Sequence, residues 1–245
     1  MRRLALTFAV ITAIISGCRD TSGIRGYWSS RTLNLEDVRA AEEEFADFAE
    51  LAAKAPEREA FAAMDILLKK AGKDEVTLLV YADWIMRGFS SIASPCRSCP
   101  IFLHAADKLL SSGKLDGYTV QEYTKSREFC LHNRVGDKAE LPQLLDEEGV
   151  VLRLNRRTLF LVVDQDCPSC RESLQRFLSP EWKDTALIAL CYGHGPLPTV
   201  PGWEFHRIAS TQTLFDTRQA PFCFVSLPDG TIEIPYKSVY DEKLL

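Results

Sequence analysis

The residues of this chain with the most chemistry to offer are Cys167-Pro168-Ser169-Cys170, set where an apolar run gives way to a helical one. Thr158-Leu159-Phe160-Leu161-Val162-Val163 has the continuous apolarity of a buried strand. Arg171-Glu172-Ser173-Leu174-Gln175-Arg176-Phe177-Leu178, just after the pair, has helical character. A cysteine pair at such a junction puts its first sulfur at a helix N-terminus, where unpaired N–H groups and the helix dipole stabilise a thiolate. The second sulfur follows one turn later, close enough to close a disulfide or release a mixed one. That is the chemistry of thiol–disulfide exchange, with Cys167 as nucleophile and Cys170 as resolving thiol. Asp164 and Asp166 disfavour a thiolate at Cys167, whereas Arg171 and the helix N-terminus favour it, so the direction of electron flow stays open. A static disulfide and a metal site are the competing uses of the same pair.

A second pair, Cys96-Arg97-Ser98-Cys99, lies between Pro95 and Pro100 in a loop that leads into a helix. A structural disulfide could join Cys96 to Cys99, or one of them to Cys130. The pair could instead relay electrons to Cys167 and Cys170. A zinc site would need four close ligands, which Cys96, Cys99, His104 and Cys130 or His132 could supply. Cys191 and Cys223 sit on apolar strands and are expected in the core. His194, between Gly193 and Gly195, is expected as a solvated loop histidine. There is no Ser-His-Asp arrangement, phosphate loop or nucleotide fingerprint. Nothing implies a cofactor beyond the chain's own thiols.

The elements that must position these residues fall into two halves. From Leu35 to His132 the periodicity is helical. One helix runs from Glu36 to Ala53 with Phe45, Phe48, Leu51 and Ala52 on its apolar face. A second runs from Pro56 through Leu68 to Gly72, and a third, capped by Asp74, carries Val76, Leu79, Val80, Trp84 and Ile85. A fourth spans Ile101 to Leu110 and a fifth Val120 to Leu131. From Val135 onward the pattern is of strands: 150–154, 158–164, 186–192, and a hairpin of 222–227 and 231–234 around Pro228-Asp229-Gly230. Between them, Gly193 to Gly202 reads as a Pro/Gly-rich loop. Strands alternating with helices and ending in a hairpin indicate an α/β sandwich around a mixed sheet, preceded by an all-α domain.

The N-terminus bears on compartment. Arg2 and Arg3 precede an apolar stretch from Leu4 to Ile15, shorter than the ~18 residues of a spanning helix. Ile15-Ser16-Gly17-Cys18 resembles a bacterial lipobox, which implies cleavage after residue 17 and lipidation of Cys18. Residues 1–17 are then a lipoprotein signal peptide, 18–34 a tether, 35–132 the helical domain and 135–245 the α/β domain. Loss of Arg2 and Arg3 moves the net charge from −5 to −7. With no basic patch, nucleic acid is not an expected partner. Seven cysteines besides Cys18 cannot all pair within one chain.

Val135-Gly136-Asp137-Lys138-Ala139, the strand at 158–163, Asp166-Cys167-Pro168-Ser169-Cys170, and Ala220-Pro221-Phe222 leading into a hairpin closed by Asp229-Gly230 together resemble something known. The match is to membrane-tethered thioredoxin-like proteins of the TlpA/ResA type, over residues 135–237. The helices before it look like the helical domain of unknown function that precedes the thioredoxin-like domain in a family of bacterial lipoproteins. The resemblance implies a thioredoxin-like sandwich with Cys167, Cys170 and Pro221 at its site. It also implies a cis Ala220–Pro221 bond packed on the cysteine pair, with backbone beside it open to an extended substrate. Disulfide-containing proteins would be substrates, a redox partner would renew the pair, and the lipid would hold the chain to a bacterial membrane facing the periplasm. Three departures stand out. The aromatic usual before the first cysteine is Asp166, and the buried acid usual six positions before it is Leu161. The tail Ser238–Leu245 is short for the amphipathic helix that closes a thioredoxin sheet. A non-catalytic binding or scaffold lipoprotein, a metal-binding lipoprotein and a thiol peroxidase are the alternatives.

Overall fold

Asp37, Asp74 and Asp116 each stand just before an apolar-periodic run, and each carboxylate accepts a hydrogen bond from the backbone N–H three residues on, at 3.0, 2.8 and 2.8 Å. They start three of the helices in the N-terminal half: α1 (Val38–Lys54), α2 (Glu57–Ala71), α3 (Glu75–Phe89), α4 (Cys99–Ser111) and α5 (Gly117–Leu131). These belong to a computed structural model that describes residues 23–245 except 143, 145–151, 153, 210–213, 215, 242, 243 and 245. Pro56 precedes α2, whose first turn carries Glu57 and Glu59. Negative charge and fixed φ at these positions satisfy the unpaired N–H end of a helix.

The helices enclose an aromatic core in which Trp28, Phe45, Phe48, Tyr81, Trp84 and Phe89 meet with centroid separations of 4.8 to 6.4 Å. Two expectations fail on its rim. The buried stripe of α1 is Ala41, Phe45, Phe48, Ala49 and Ala52, which leaves Leu51 49% exposed, and Val76 at the start of α3 faces solvent. α4 begins at Cys99, two residues earlier than the periodicity suggests, because Pro100 is accommodated in its first turn.

The C-terminal half contains β1 (Thr158–Asp164), α6 (Pro168–Arg176), β2 (Ala186–Tyr192), β3 (Trp203–Arg207), β4 (Phe222–Ser226) and β5 (Ile232–Ser238). The sheet order is β3-β2-β1-β4-β5, with β1, β2 and β3 parallel and β4 and β5 antiparallel. β1 lies at the centre and is buried on both faces, hence its unbroken apolar run. Its side chains still alternate. Leu159, Leu161 and Val163 join Ala189, Cys191, Cys223 and Val225 on one face, and Phe160 and Val162 join Leu190, Phe222 and Phe224 on the other. β3 was not anticipated: Trp203-Glu204-Phe205-His206-Arg207 is an edge strand too polar and short to stand out beside the Pro/Gly loop. The expected strand at 150–154 falls largely outside the described residues.

The first face is covered by Leu174 of α6, by Phe177 just after it, by Trp182, and by Val239 and Leu244 of the tail. The second face is roofed by the helical half. Ile92, between α3 and α4, and Phe129 of α5 belong to the same buried cluster as Phe160, Phe222 and Tyr236. Phe129 stacks on Tyr236 at 4.6 Å and meets Phe222 edge-on at 5.7 Å. Each such side chain contributes about 1.5–3 kcal/mol through burial. Polar contacts reinforce the joint: Ile92 N donates to Gln219 Oε1 (2.6 Å), Arg97 Nη1 to Tyr236 O (3.0 Å), and Arg218 pairs with Glu122 (2.6 Å).

Asn133, just past α5, has φ +50°, a left-handed conformation Asn tolerates better than most residues. Its side chain donates to Glu140 O (3.0 Å) and to Tyr236 Oη (2.7 Å), and accepts from Glu140 N (2.6 Å). One amide therefore ties the chain leaving the helices to the sheet it is about to form.

Candidate active site

The three parallel strands end level on one side of the sheet. Asp164 pairs with Tyr192, Cys191 with Arg207, and β4 begins at the same end with Phe222 opposite Val162. The loops leaving β1 and β2 and the segment entering β4 converge there, as expected of an α/β sheet whose site lies at its carboxyl edge.

The turn from β1 into α6 is held by its own backbone. Gln165 N donates to Tyr192 O (3.0 Å), Asp166 N to Asp164 Oδ1 (2.8 Å) and Cys167 N to Asp164 O (3.3 Å). Cys167 is the residue before the helix, in an extended conformation, and Pro168 presets the first helical φ. No side chain caps α6 and its first turn has no acid. The sulfur of Cys167 is therefore the side-chain group left at the helix N-terminus, and it is partly exposed.

Cys170 sits one turn deeper and is 1% exposed. Burial pushes its thiol up to about 12; its hydrogen bond to Cys167 and the nearby Asp164 charge add to the rise, against a backbone hydrogen bond at Asp164. The arrangement is one accessible sulfur beside one buried, protonated sulfur.

Residues that the sequence did not single out build the walls. Arg207, the last residue of β3, donates from Nη1 to Gly193 O (3.0 Å) and Gln165 Oε1 (3.3 Å), and from Nη2 to Gly195 O (2.9 Å). It pins the loop after β2 against the turn before Cys167. Gly193 has φ +106°, and a Cβ there would lie 3.0 Å from Asp166 Oδ2 and 3.3 Å from Asp164 Oδ1, so glycine is required. His194 is exposed, as expected, and its backbone N–H reaches Asp166 Oδ2 at 3.4 Å. The Tyr192 hydroxyl donates to Thr217 O (2.7 Å), holding the turn that leads to Ala220. Burial raises the Tyr192 pKa, with the charges of Asp164, Cys170 and Cys167 adding, which places this ring within electrostatic reach of both sulfurs. Nothing in local sequence marks Arg207, since its strand was itself unseen.

Ala220–Pro221 is cis, as the resemblance implied. The β1–β4 register carries Pro221 to a place opposite Val163, at the thiol end of the sheet. Leu161, where the resemblance would have an acid, lies fully buried among apolar side chains.

The second pair is split. Cys99 is bonded to Cys130, with Cα atoms 5.3 Å apart, and Cys96 is a free, buried thiol. The Cys96–Cys99 bond is thus absent and the bond to Cys130 is the one formed. The residues suggested for zinc do not converge. His104 stacks on Phe61 at 4.4 Å and meets Asp65 at 2.7 Å, and His132 meets Glu140 at 3.0 Å. Among the described residues, no group of three or more His, Cys, Asp or Glu is placed to hold a metal ion. Cys191 and Cys223 are fully buried in the core. Burial pushes Cys223 up to about 12. Cys18 lies outside the described residues.

No family model matches the sequence, and no curated protein matches it. Among solved structures, the crystal structure of a thioredoxin-like protein from Bacteroides caccae ATCC 43185 is similar, with a TM-score of 0.70 at 14% sequence identity. The match covers 88% of this chain and 87% of that one, more than the C-terminal half alone could supply. What is shared is the fold: a thioredoxin-like α/β sandwich preceded by a helical domain.

Proposed function

We propose that this chain is a thiol–disulfide oxidoreductase that acts on disulfides of other proteins through Cys167 and Cys170, in the manner of the TlpA/ResA type. The observation that carries the proposal is the asymmetry at the start of α6, an accessible Cys167 beside a buried, protonated Cys170. In the reducing direction the Cys167 thiolate attacks a substrate disulfide. A Cys167–substrate bond forms, the substrate S–S bond breaks, and one substrate sulfur leaves as a thiolate. Cys170 then loses its proton and attacks the Cys167 sulfur, closing Cys167–Cys170 and releasing the second substrate sulfur. Two electrons pass from the pair to the substrate, and oxidation of a dithiol substrate is the reverse sequence. Cys167 is accessible while Cys170 is shielded, so the substrate meets one sulfur and the intramolecular partner meets the other. Extended substrate backbone would lie beside Pro221, and a redox partner would restore the reduced pair.

We further infer that Cys18 is lipidated and tethers the chain to a bacterial membrane, facing the periplasm. The support is the pattern of residues 1–18. Metabolic labelling with palmitate is expected to tag the chain and to fail in a Cys18→Ala chain. Absence of label in the unaltered chain, or undiminished label in Cys18→Ala, would refute the anchor.

The deciding experiment is a redox titration of the chain from residue 19 onward in dithiol buffers, with each thiol mapped by alkylation and mass spectrometry. A reversible two-electron transition of Cys167–Cys170 is expected, at about −270 mV for a reductant or about −120 mV for an oxidant. Absence of any accessible transition would refute the enzyme. Leu161 in place of an acid and Asp166 in place of an aromatic would then favour a binding lipoprotein that keeps the fold without turnover.

A further inference from the structure

The helices of this chain treat their N-termini in two ways. α1, α3 and α5 are capped by aspartates, and α2 carries two glutamates in its first turn. α4 and α6 have neither a capping side-chain hydrogen bond nor an acid in the first turn. Both carry a cysteine there instead, Cys99 as the first residue of α4 and Cys167 just before α6. Cys99 differs in being oxidised, to Cys130 at the last turn of α5, and in having a third sulfur at hand.

That third sulfur is Cys96, free and three residues upstream. The segment between is folded tightly, with Arg97 N donating to Ser94 O (3.2 Å) and Ser98 N to Phe89 O (2.9 Å). Cys96, Cys99 and Cys130 all pack on the same buried cluster of the helical half. Cys96 and Cys130 are members of that cluster, whereas Cys99 lies at its edge and is partly exposed. Cys99 and Cys130 also line a cleft of about 560 Å³ whose walls carry Arg97, His132, Arg134 and Lys237. Cations and an uncapped helix end favour a thiolate at Cys99 and Cys130. Cys96 instead lines a separate cleft with Phe45, Trp84 and Glu50. Burial and the Glu50 charge raise its thiol there, so the exchange quickens as pH rises.

We propose that these three cysteines form a second exchange centre, in which Cys99 changes partner between Cys130 and Cys96. The Cys96 thiolate attacks the Cys99 sulfur. The Cys96–Cys99 bond forms, the Cys99–Cys130 bond breaks, and Cys130 leaves as a thiolate that takes up the proton Cys96 gave up. The exchange is redox-neutral and needs no outside oxidant. A small thiol speeds it by forming a mixed disulfide with the accessible Cys99. Cys130 adjoins Phe129, so the swap releases the end of α5 from α4 beside the side chain that roofs the sheet.

Trypsin cuts after Arg97 and so separates the two sulfurs of the Cys96-x-x-Cys99 pair. Cys96, Cys99 and Cys130 fall on peptides 88–97, 98–108 and 128–134. The full chain is incubated with a trace of cysteamine, quenched with acid, alkylated and digested without reduction. A linked 88–97/98–108 pair is expected in about 1% of chains or more, the range of a populated second state. Alkylated 128–134 is expected to rise in step with it. When a ¹⁵N-labelled chain is added at the acid quench, no linked pair of one labelled and one unlabelled peptide is expected, which excludes scrambling during digestion. A level below that, or mixed labelled–unlabelled pairs as abundant as the unlabelled linkage, overturns the proposal and leaves Cys99–Cys130 a structural bond.

Discussion

Reduced Cys167 and Cys170 should differ in reactivity by orders of magnitude, and the size of the gap follows from burial. Cys170 is held up to about 12. At pH 8 about one molecule in 10⁴ then carries its thiolate, against about one in four for an unperturbed thiol of pKa ~8.5. Only the thiolate reacts, so alkylation of Cys170 should run about 2,000-fold slower than that of an ordinary exposed cysteine, before any steric shielding is counted. The assay is timed iodoacetamide labelling of the reduced chain, with the two sites told apart by fragmentation of tryptic peptide 158–171. Cys167 should label first. The rate at Cys170 should rise about tenfold per pH unit from 8 to 11 without levelling. Labelling of Cys170 at the rate of Cys167, or a plateau below pH 10, would refute the reasoning and with it the division of labour between the two sulfurs.

Four other outcomes follow from named contacts. Phe129→Ala should cost about 3–5 kcal/mol in urea unfolding, and the helical half should stay folded where the sheet melts; a loss under 1 kcal/mol would mean the roof is not structural. Asn133→Ala removes three hydrogen bonds and leaves a less tolerant residue at φ +50°, for an expected loss of about 2–4 kcal/mol by the same assay. Gly193→Ala places a Cβ against Asp166 and Asp164 in a conformation unsuited to alanine. It should cost about 1–3 kcal/mol and slow disulfide exchange at Cys167, and wild-type turnover would count against the loop's role. The last concerns pH. The folded pKa of Cys223, about 12, lies above its ordinary value of 9.0, so the native state holds this proton more tightly than the unfolded chain does. Its contribution is complete below about pH 9 and is lost as pH rises toward 12, to a total of about 4 kcal/mol. A Cys223→Ala chain, weaker at neutral pH, should lose correspondingly less between pH 9 and 12 in denaturant titrations.

Much of the site was legible because its signals are local. The apolar run of β1, the cysteines at a strand–helix junction and Pro221 before a strand each occupy a few consecutive residues. What escaped was non-local or masked by neighbours. Arg207 staples the loop after β2, but its strand is only five residues long, is buried at Trp203 and His206 alone, and follows a loop rich in Pro and Gly. The bond between Cys99 and Cys130 spans 31 residues, and no local pattern distinguishes it from a bond to Cys96. α5 is legible as a helix but its two-sided role is not, because its buried positions include Glu122 and Ser126 beside Tyr123 and Phe129. It answers to two surfaces, the helical core and the sheet, and a single apolar stripe cannot serve both. The means of covering the second face of the sheet, by Ile92 and Phe129 from the helical half, was not legible either.

That cover has a consequence for how the chain is born. Ile92 and Phe129 precede every strand they shelter, so during synthesis the helices can be complete before β1 leaves the ribosome. The sheet then forms against a surface already in place, and its aromatic face need not wait uncovered for a later segment to arrive. A protein begun at residue 135 would carry all five described strands and the thiol pair but lack their template. It would expose Phe222, Phe224 and Tyr236 on the face that Ile92 and Phe129 normally cover, an invitation to aggregate.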